Sequence, residues 1–163
     1  MITMESRYLG PIELDGGAGG GSMEAVIDFA GDQVPTRLEI DYPDRLTQTL
    51  IDDIDVMLDY PDVADGIARE TIEGAMRRDD SAPSQLFQVW ERARWGRESS
   101  VEQFLESLRP TKMIITPDGG RANLDRVVLS YGVRDTPVAG TITVRLLQSA
   151  PPEVDRAPAG GFG

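Results

Sequence analysis

Between residues 41 and 65 the chain places eight aspartates, Asp41, Asp44, Asp52, Asp53, Asp55, Asp59, Asp62 and Asp65, against one cation, Arg45, a local charge of −7. Carboxylates at this density could chelate a metal, act as an acid–base pair, or present a negative surface to a cationic partner. Metal binding fits worst. Asp53-Ile54-Asp55 spells D-x-D, but residues two apart on a helix do not face one another and do not chelate as they stand. Two distant carboxylates can still meet in a fold, which keeps a carboxylate-based hydrolase as a third reading. The docking surface fits best. On a helical wheel Asp52, Asp55 and Asp59 lie opposite the apolar stripe and share one exposed face. Asp44 and Asp62 extend it, and Tyr42 and Tyr60 stand as aromatic anchors at its ends.

The residue types that are missing exclude much else. With no cysteine and no histidine, the chain has no thiolate nucleophile, no imidazole base, no disulfide framework and no cysteine- or histidine-ligated zinc or haem site. A serine or threonine nucleophile would find only carboxylates, tyrosines, the amino terminus and Lys112 as bases. We therefore expect no enzyme, no cofactor and no metal.

Three further stretches imitate functional motifs. "LDGGAGGGS" carries five glycines in six positions, yet no Lys is near and a strand pattern, not a helix, follows, so it reads as a flexible connection between strands and not as a phosphate loop. "WERARWGR" sets Trp90 and Trp95 among Arg92, Arg94 and Arg97. Trp90 belongs to an apolar stripe with Phe87, and Glu91 and Glu98 dilute the charge, which leaves one core and one capping tryptophan rather than a nucleic-acid surface. "TPDGGR", from Thr116 to Arg121, lacks the alternating ligands of a calcium loop and reads as a turn.

The elements that position these residues follow from hydrophobic period. "YLGPIELD", "MEAVIDFA" and "VPTRLEID" alternate with a period of two and read as three antiparallel strands. From Pro43-Asp44 the period becomes helical. Helix one, near 44 to 59, gathers Leu46, Leu50, Ile51, Ile54, Met57 and Leu58; helix two follows Pro61 with Val63, Ile67, Thr71, Ala75 and Met76 inward. A third follows Ala82 with Leu86, Phe87, Trp90 and Ala93. A fourth opens on a Ser99/Glu102 capping box and ends at Pro110. Strands return at "TKMIIT", "LDRVVLSYGV" and "TITVRLL".

These readings predict one α+β domain over residues 1–148: an antiparallel sheet of about six strands in two three-strand meanders, with four helices inserted in the middle and packed on one face. The core is expected from Ile27, Phe29, Leu38, Ile40, Leu50, Ile54, Ile67, Leu86, Phe87, Trp90, Phe104, Leu105, Val127, Leu129, Tyr131, Ile142 and Val144. The Pro/Ala/Gly-rich tail, 149–163, shows no period and reads as disordered. Twenty-eight acids against sixteen bases give a net charge of −12, which repels nucleic acid and anionic membrane and favours a basic partner. No stretch approaches the roughly 20 apolar residues of a membrane span, and the start carries no apolar secretory region, so a cytoplasmic location is expected.

The order of elements, with the wording of "YLGPIELD", "MEAVIDFAGDQVPTRLEID", "KMIITPDG", "LDRVVLSYGV" and "TITVRL", resembles a bacterial family of uncharacterised α+β domains suspected to be immunity proteins of polymorphic toxin systems. The resemblance covers about residues 8 to 147, carries no active residues, and implies a non-enzymatic inhibitor of a basic toxin domain. The alternative is a scaffold or regulatory domain that binds through an apolar surface or an open sheet edge.

Overall fold

The first element lies upstream of where the alternation suggested. Ile2–Ser6 (β1) and Gly10–Leu14 (β2) pair antiparallel, with Ser6 opposite Gly10, as a two-stranded sheet of their own. Tyr8 and Leu9 are therefore in a turn and not in a strand. Ser6 Oγ closes it by accepting from the backbone N–H groups of Tyr8 and Leu9, and Gly10 takes φ +76°, the left-handed region open to glycine. The computed structural model describes residues 2–14, 21–95, 99–118, 125–134, 138, 140–147 and 151–155. The glycine-rich connection at 15–20 lies outside them, but its flanks are strands on both sides, β2 and Gly21–Phe29 (β3).

β3 forms a long hairpin with Asp32–Ile40 (β4) through a turn at Ala30 and Gly31. The chain then crosses through four helices, Gln48–Asp59 (α1), Pro61–Ala75 (α2), Ala82–Ala93 (α3) and Val101–Ser107 (α4). It returns as Leu108–Ile115 (β5), Asp125–Val133 (β6), Ile142–Leu147 (β7) and Glu153–Val154 (β8). The main sheet has six strands in the order β3-β4-β5-β6-β7-β8. The α+β class and the helical insertion are as the sequence suggests, and β5, β6 and β7 follow one another antiparallel as the second of the expected meanders; the first does not form. It is broken because β1 and β2 stand apart, and β5 joins β4 in parallel, Thr36 opposite Met113. A crossover of four helices carries the chain back to the end of the sheet where β4 began, which makes parallel pairing the natural closure. The remaining pairs are antiparallel.

Several local boundaries also move. Pro43–Arg45 forms a short 3-10 turn, Leu46 is extended and buried, and α1 begins only after Thr47, whose side chain caps the Leu50 N–H. The capping box of α4 is Ser100 with Gln103, one residue later than the Ser99/Glu102 pair. Pro110 lies inside β5, where a register shift between Pro110 and Lys112 accommodates its missing N–H. At the tail, Glu153 and Val154 pair with β7 and Asp155 grips Arg145 at 2.6 Å, so the segment from 149 is not uniformly without structure; residues 156–163 lie outside the described set.

One contiguous core includes Ile27, Phe29, Leu38, Ile40, Ile54, Leu86, Trp90, Phe104, Val127, Leu129, Tyr131, Ile142 and Val144, with Leu50, Phe87 and Leu105 packed at its margin. The exception is Ile67, which is 42% exposed. In α2 the inward stripe is Ala64, Ala68 and Ile72, while Val63 is 60% exposed. Small residues let this helix approach its neighbours closely, and its flank is held polar: Asp65 accepts from Tyr131 Oη at 2.7 Å and from Arg69 Nε at 2.9 Å. Arg69 also donates to the Leu105 and Leu108 carbonyls at 2.7 and 2.8 Å, satisfying the end of α4.

Candidate acidic docking surface

The predicted acidic face of α1 is built differently from the helical wheel. Asp55 is not on an exposed face: it is only 3% exposed. Its carboxylate accepts from Ser6 Oγ at 2.5 Å and from the Arg7 backbone N–H at 2.9 Å, with Arg7 Nε 3.8 Å away. The β1–β2 turn has docked onto α1. Gln48, one turn before Asp52, completes the seam by accepting from the Glu5 N–H and donating to the Glu5 carbonyl. Asp59, one turn beyond Asp55, accepts from the Arg7 guanidinium and from the Tyr8 hydroxyl.

These contacts set the local electrostatics. The hydrogen bond from Arg7, reinforced by Tyr8, holds the Asp59 carboxyl below its ordinary value of 3.8. The Tyr8 phenol is pushed up, first because it donates to that carboxylate. A lowered carboxyl is the reverse of what a general acid requires at neutral pH. Asp59 here serves as an acceptor for its own chain.

The other predicted contact residues are placed as follows. Asp44 is exposed in the 3-10 turn, Asp52 is exposed and accepts from Gln48 Nε2 at 2.9 Å, and Asp62 is exposed in the first turn of α2. Tyr42 carries the Arg45 guanidinium 4.2 Å over its ring, and its N–H donates to the buried Asp118 at 2.6 Å. The D-x-D pair points two ways, Asp53 within 3.8 Å of Arg126 and Asp55 into the hairpin turn. Among the described residues no group of three or more acids is arranged to hold a metal ion.

Sequence reasoning missed an apolar strip at the joint of α1 and α2. Val56 on α1 and Val63 and Ile67 on α2 are exposed, and Tyr60, 65% exposed, is the residue that both ends α1 and begins α2. The spacing, 56 to 60 and then 60, 63 and 67, keeps them on one side of each helix. Asp52, Asp59, Asp62 and Glu70 alternate with them. The signal was present: Ala64, Ala68 and Ile72 at intervals of four define an alternative inward stripe that sends Val63 and Ile67 outward. An apolar strip with a charged margin is a composition that protein-binding patches share.

Of the Trp/Arg stretch, Trp90 is fully buried against Phe87 and Phe104, whereas Trp95 is 90% exposed at φ +39° just past the end of α3. Arg97 and Glu98 lie outside the described residues. So do residues 119–121 of "TPDGGR"; its Thr116 is tied to β6, donating its N–H to the Arg126 carbonyl at 2.8 Å. Among the described residues no helix is long and apolar enough to cross a membrane.

No protein-family model matches the chain, and neither the curated proteins nor the solved structures contain a significant match.

Proposed function

We propose that this chain is a non-enzymatic binding protein of the immunity type, acting in the cytoplasm, that occludes a basic toxin domain through the α1–α2 joint. The observation that carries the reading is the exposed Val56, Tyr60, Val63 and Ile67 strip set among Asp52, Asp62 and Glu70. Apolar contacts at the centre supply most of the affinity, and the carboxylates select a cationic partner and speed its approach. Tyr60 is the central anchor; Tyr42 and Asp44 form an outlying contact. Asp55 and Asp59 leave the docking set because their carboxylates are spent within the fold, on Ser6 and the Arg7 amide and on the Arg7 guanidinium and Tyr8.

The test is co-purification of a tagged chain from its native cells, identification of the captured protein, and titration of the purified pair. A basic partner whose affinity falls as salt rises, and about tenfold or more with Tyr60→Ala, supports the reading. A partner indifferent to salt, to Tyr60→Ala and to Asp52→Asn with Asp62→Asn overturns it.

A second reading, a scaffold domain that binds by strand addition, is favoured by one observation. β3 is nine residues long and pairs only with β4 among the described residues, leaving its outer edge open. Tyr60→Ala would leave that mode intact, whereas Val26→Pro on β3 would abolish it.

A further inference from the structure

At one end of the main sheet three arginines line one pocket. Arg109 lies at the start of β5, Arg134 directly follows β6, and the two strand ends are paired through Leu108 opposite Val133. Arg94, at the end of α3, completes the set, and with Gln103, Glu106 and Ser107 of α4 they line a pocket of about 300 Å³. Its lining carries three cations and one carboxylate in a protein whose net charge is −12. Each arginine is already positioned. Arg134 donates to Asp32 at 2.7 Å and its N–H to the Ser107 carbonyl at 3.1 Å. Arg109 donates to the Glu106 and Leu108 carbonyls at 2.8 and 3.0 Å, with Nε 4.0 Å from Asp32, and the Arg94 guanidinium sits 4.5 Å over the Trp90 ring.

The geometry points to a binding site for a small multivalent oxyanion, a phosphate ester or a polycarboxylate. Planar guanidinium forks match clustered anionic oxygens, and groups held in place by their own chain lose little further freedom when a ligand arrives. The volume is at the lower end of ligand pockets, which sets the size of the guest. Asp32 lies behind Arg109 and Arg134 and balances them in part, so the site attracts an anion without requiring one for folding. Glu106 and Gln103 line the same space and favour a guest that carries a hydroxyl beside its charges. No residue is shared with the α1–α2 docking surface, so the two readings stand or fall separately.

The test is isothermal titration of the full chain with inorganic phosphate and, separately, citrate at low ionic strength. Saturable binding of either supports the site, and which of the two binds distinguishes a phosphate guest from a carboxylate one. Arg134→Gln should weaken it about tenfold or more, Glu106→Gln should tighten it several-fold, and Arg92→Gln, an exposed arginine of α3 outside the pocket, should leave it unchanged. Glu106→Gln keeps the Asp32 pairing intact and decides the matter if Arg134→Gln does not fold. Absence of saturable binding by both anions, no tightening in Glu106→Gln, or an equal loss in Arg92→Gln overturns the proposal.

Discussion

The Ser6 hydroxyl donates to the Asp55 carboxylate across 49 residues of chain, at 2.5 Å and out of contact with solvent. With the Arg7 N–H on the second oxygen, this carboxylate ties to the first long helix a hairpin that, among the described residues, pairs with no strand of the main sheet. Leu9 and Ile12, buried beside it, add the apolar part of the seam. Asp55→Ala leaves the Ser6 hydroxyl and the Arg7 amide without their acceptor, which costs about 2 to 4 kcal/mol in urea unfolding. Asp52→Ala, on the exposed side of the same helix, should stay within about 0.5 kcal/mol. Equal effects would mean that the hairpin is not held by Asp55.

The neighbouring Asp59 makes the same seam sensitive to acid. Its folded carboxyl lies below the ordinary 3.8, so the folded protein holds the ionised form more strongly than the unfolded chain does. Its contribution is complete above that ordinary value and is lost as pH falls through the lower, folded value. The stability difference between wild type and Asp59→Asn should therefore be constant above about pH 5 and shrink on further acidification. Thermal melts of both proteins at a series of pH values test this; a difference that grows on acidification would contradict it.

A third carboxylate, Asp65, serves the core. Tyr131 is fully buried, and burial first, then the hydrogen bond to Asp65, drives its phenol well above the ordinary value of 10.0. In an alkaline absorbance titration Tyr131 should ionise only as the protein unfolds. A raised folded value means stability present below the ordinary one and lost as pH climbs toward the folded one. Tyr131→Phe should cost about 1 to 2 kcal/mol. Arg69→Ala should cost more, since it removes the partner of Asp65 and uncovers two carbonyls at the end of α4.

The second helix shows where the sequence could be read two ways. Hydrophobicity alone turns Val63 and Ile67 inward, but Ala64, Ala68 and Ile72 are the residues buried. Ala68→Leu should therefore overpack a closed contact and cost about 1 to 3 kcal/mol, while Ile67→Ser stays near neutral. Chemical unfolding of the two variants decides which stripe faces the core.

The class of the fold and most of the core were legible, because alternation and helical periodicity report which side of an element is apolar. What escaped depends on contacts far apart in sequence. Nothing local to Asp55 marks it as buried; that follows from Ser6 and Arg7. Ser99 and Ser100 each have a capping partner three residues on, and only the backbone chooses Ser100. The parallel pairing of β4 with β5 belongs to the path of four helices rather than to either strand. The acidic run was visible from its spacing, but its division into a structural seam and an exposed margin was not.

Trp95 offers the last test. It follows Arg94, the end residue of α3, with φ +39° and its indole almost wholly in solvent. That left-handed position at the end of a helix is one that glycine fills without steric cost and a bulky side chain does not. Among the described residues no burial of the indole offsets the strain, so Trp95→Gly should leave stability unchanged or raise it by about 1 kcal/mol. The remaining fluorescence would come from Trp90 and report a core environment. A clear loss of stability in Trp95→Gly would show instead that the indole packs against part of the chain.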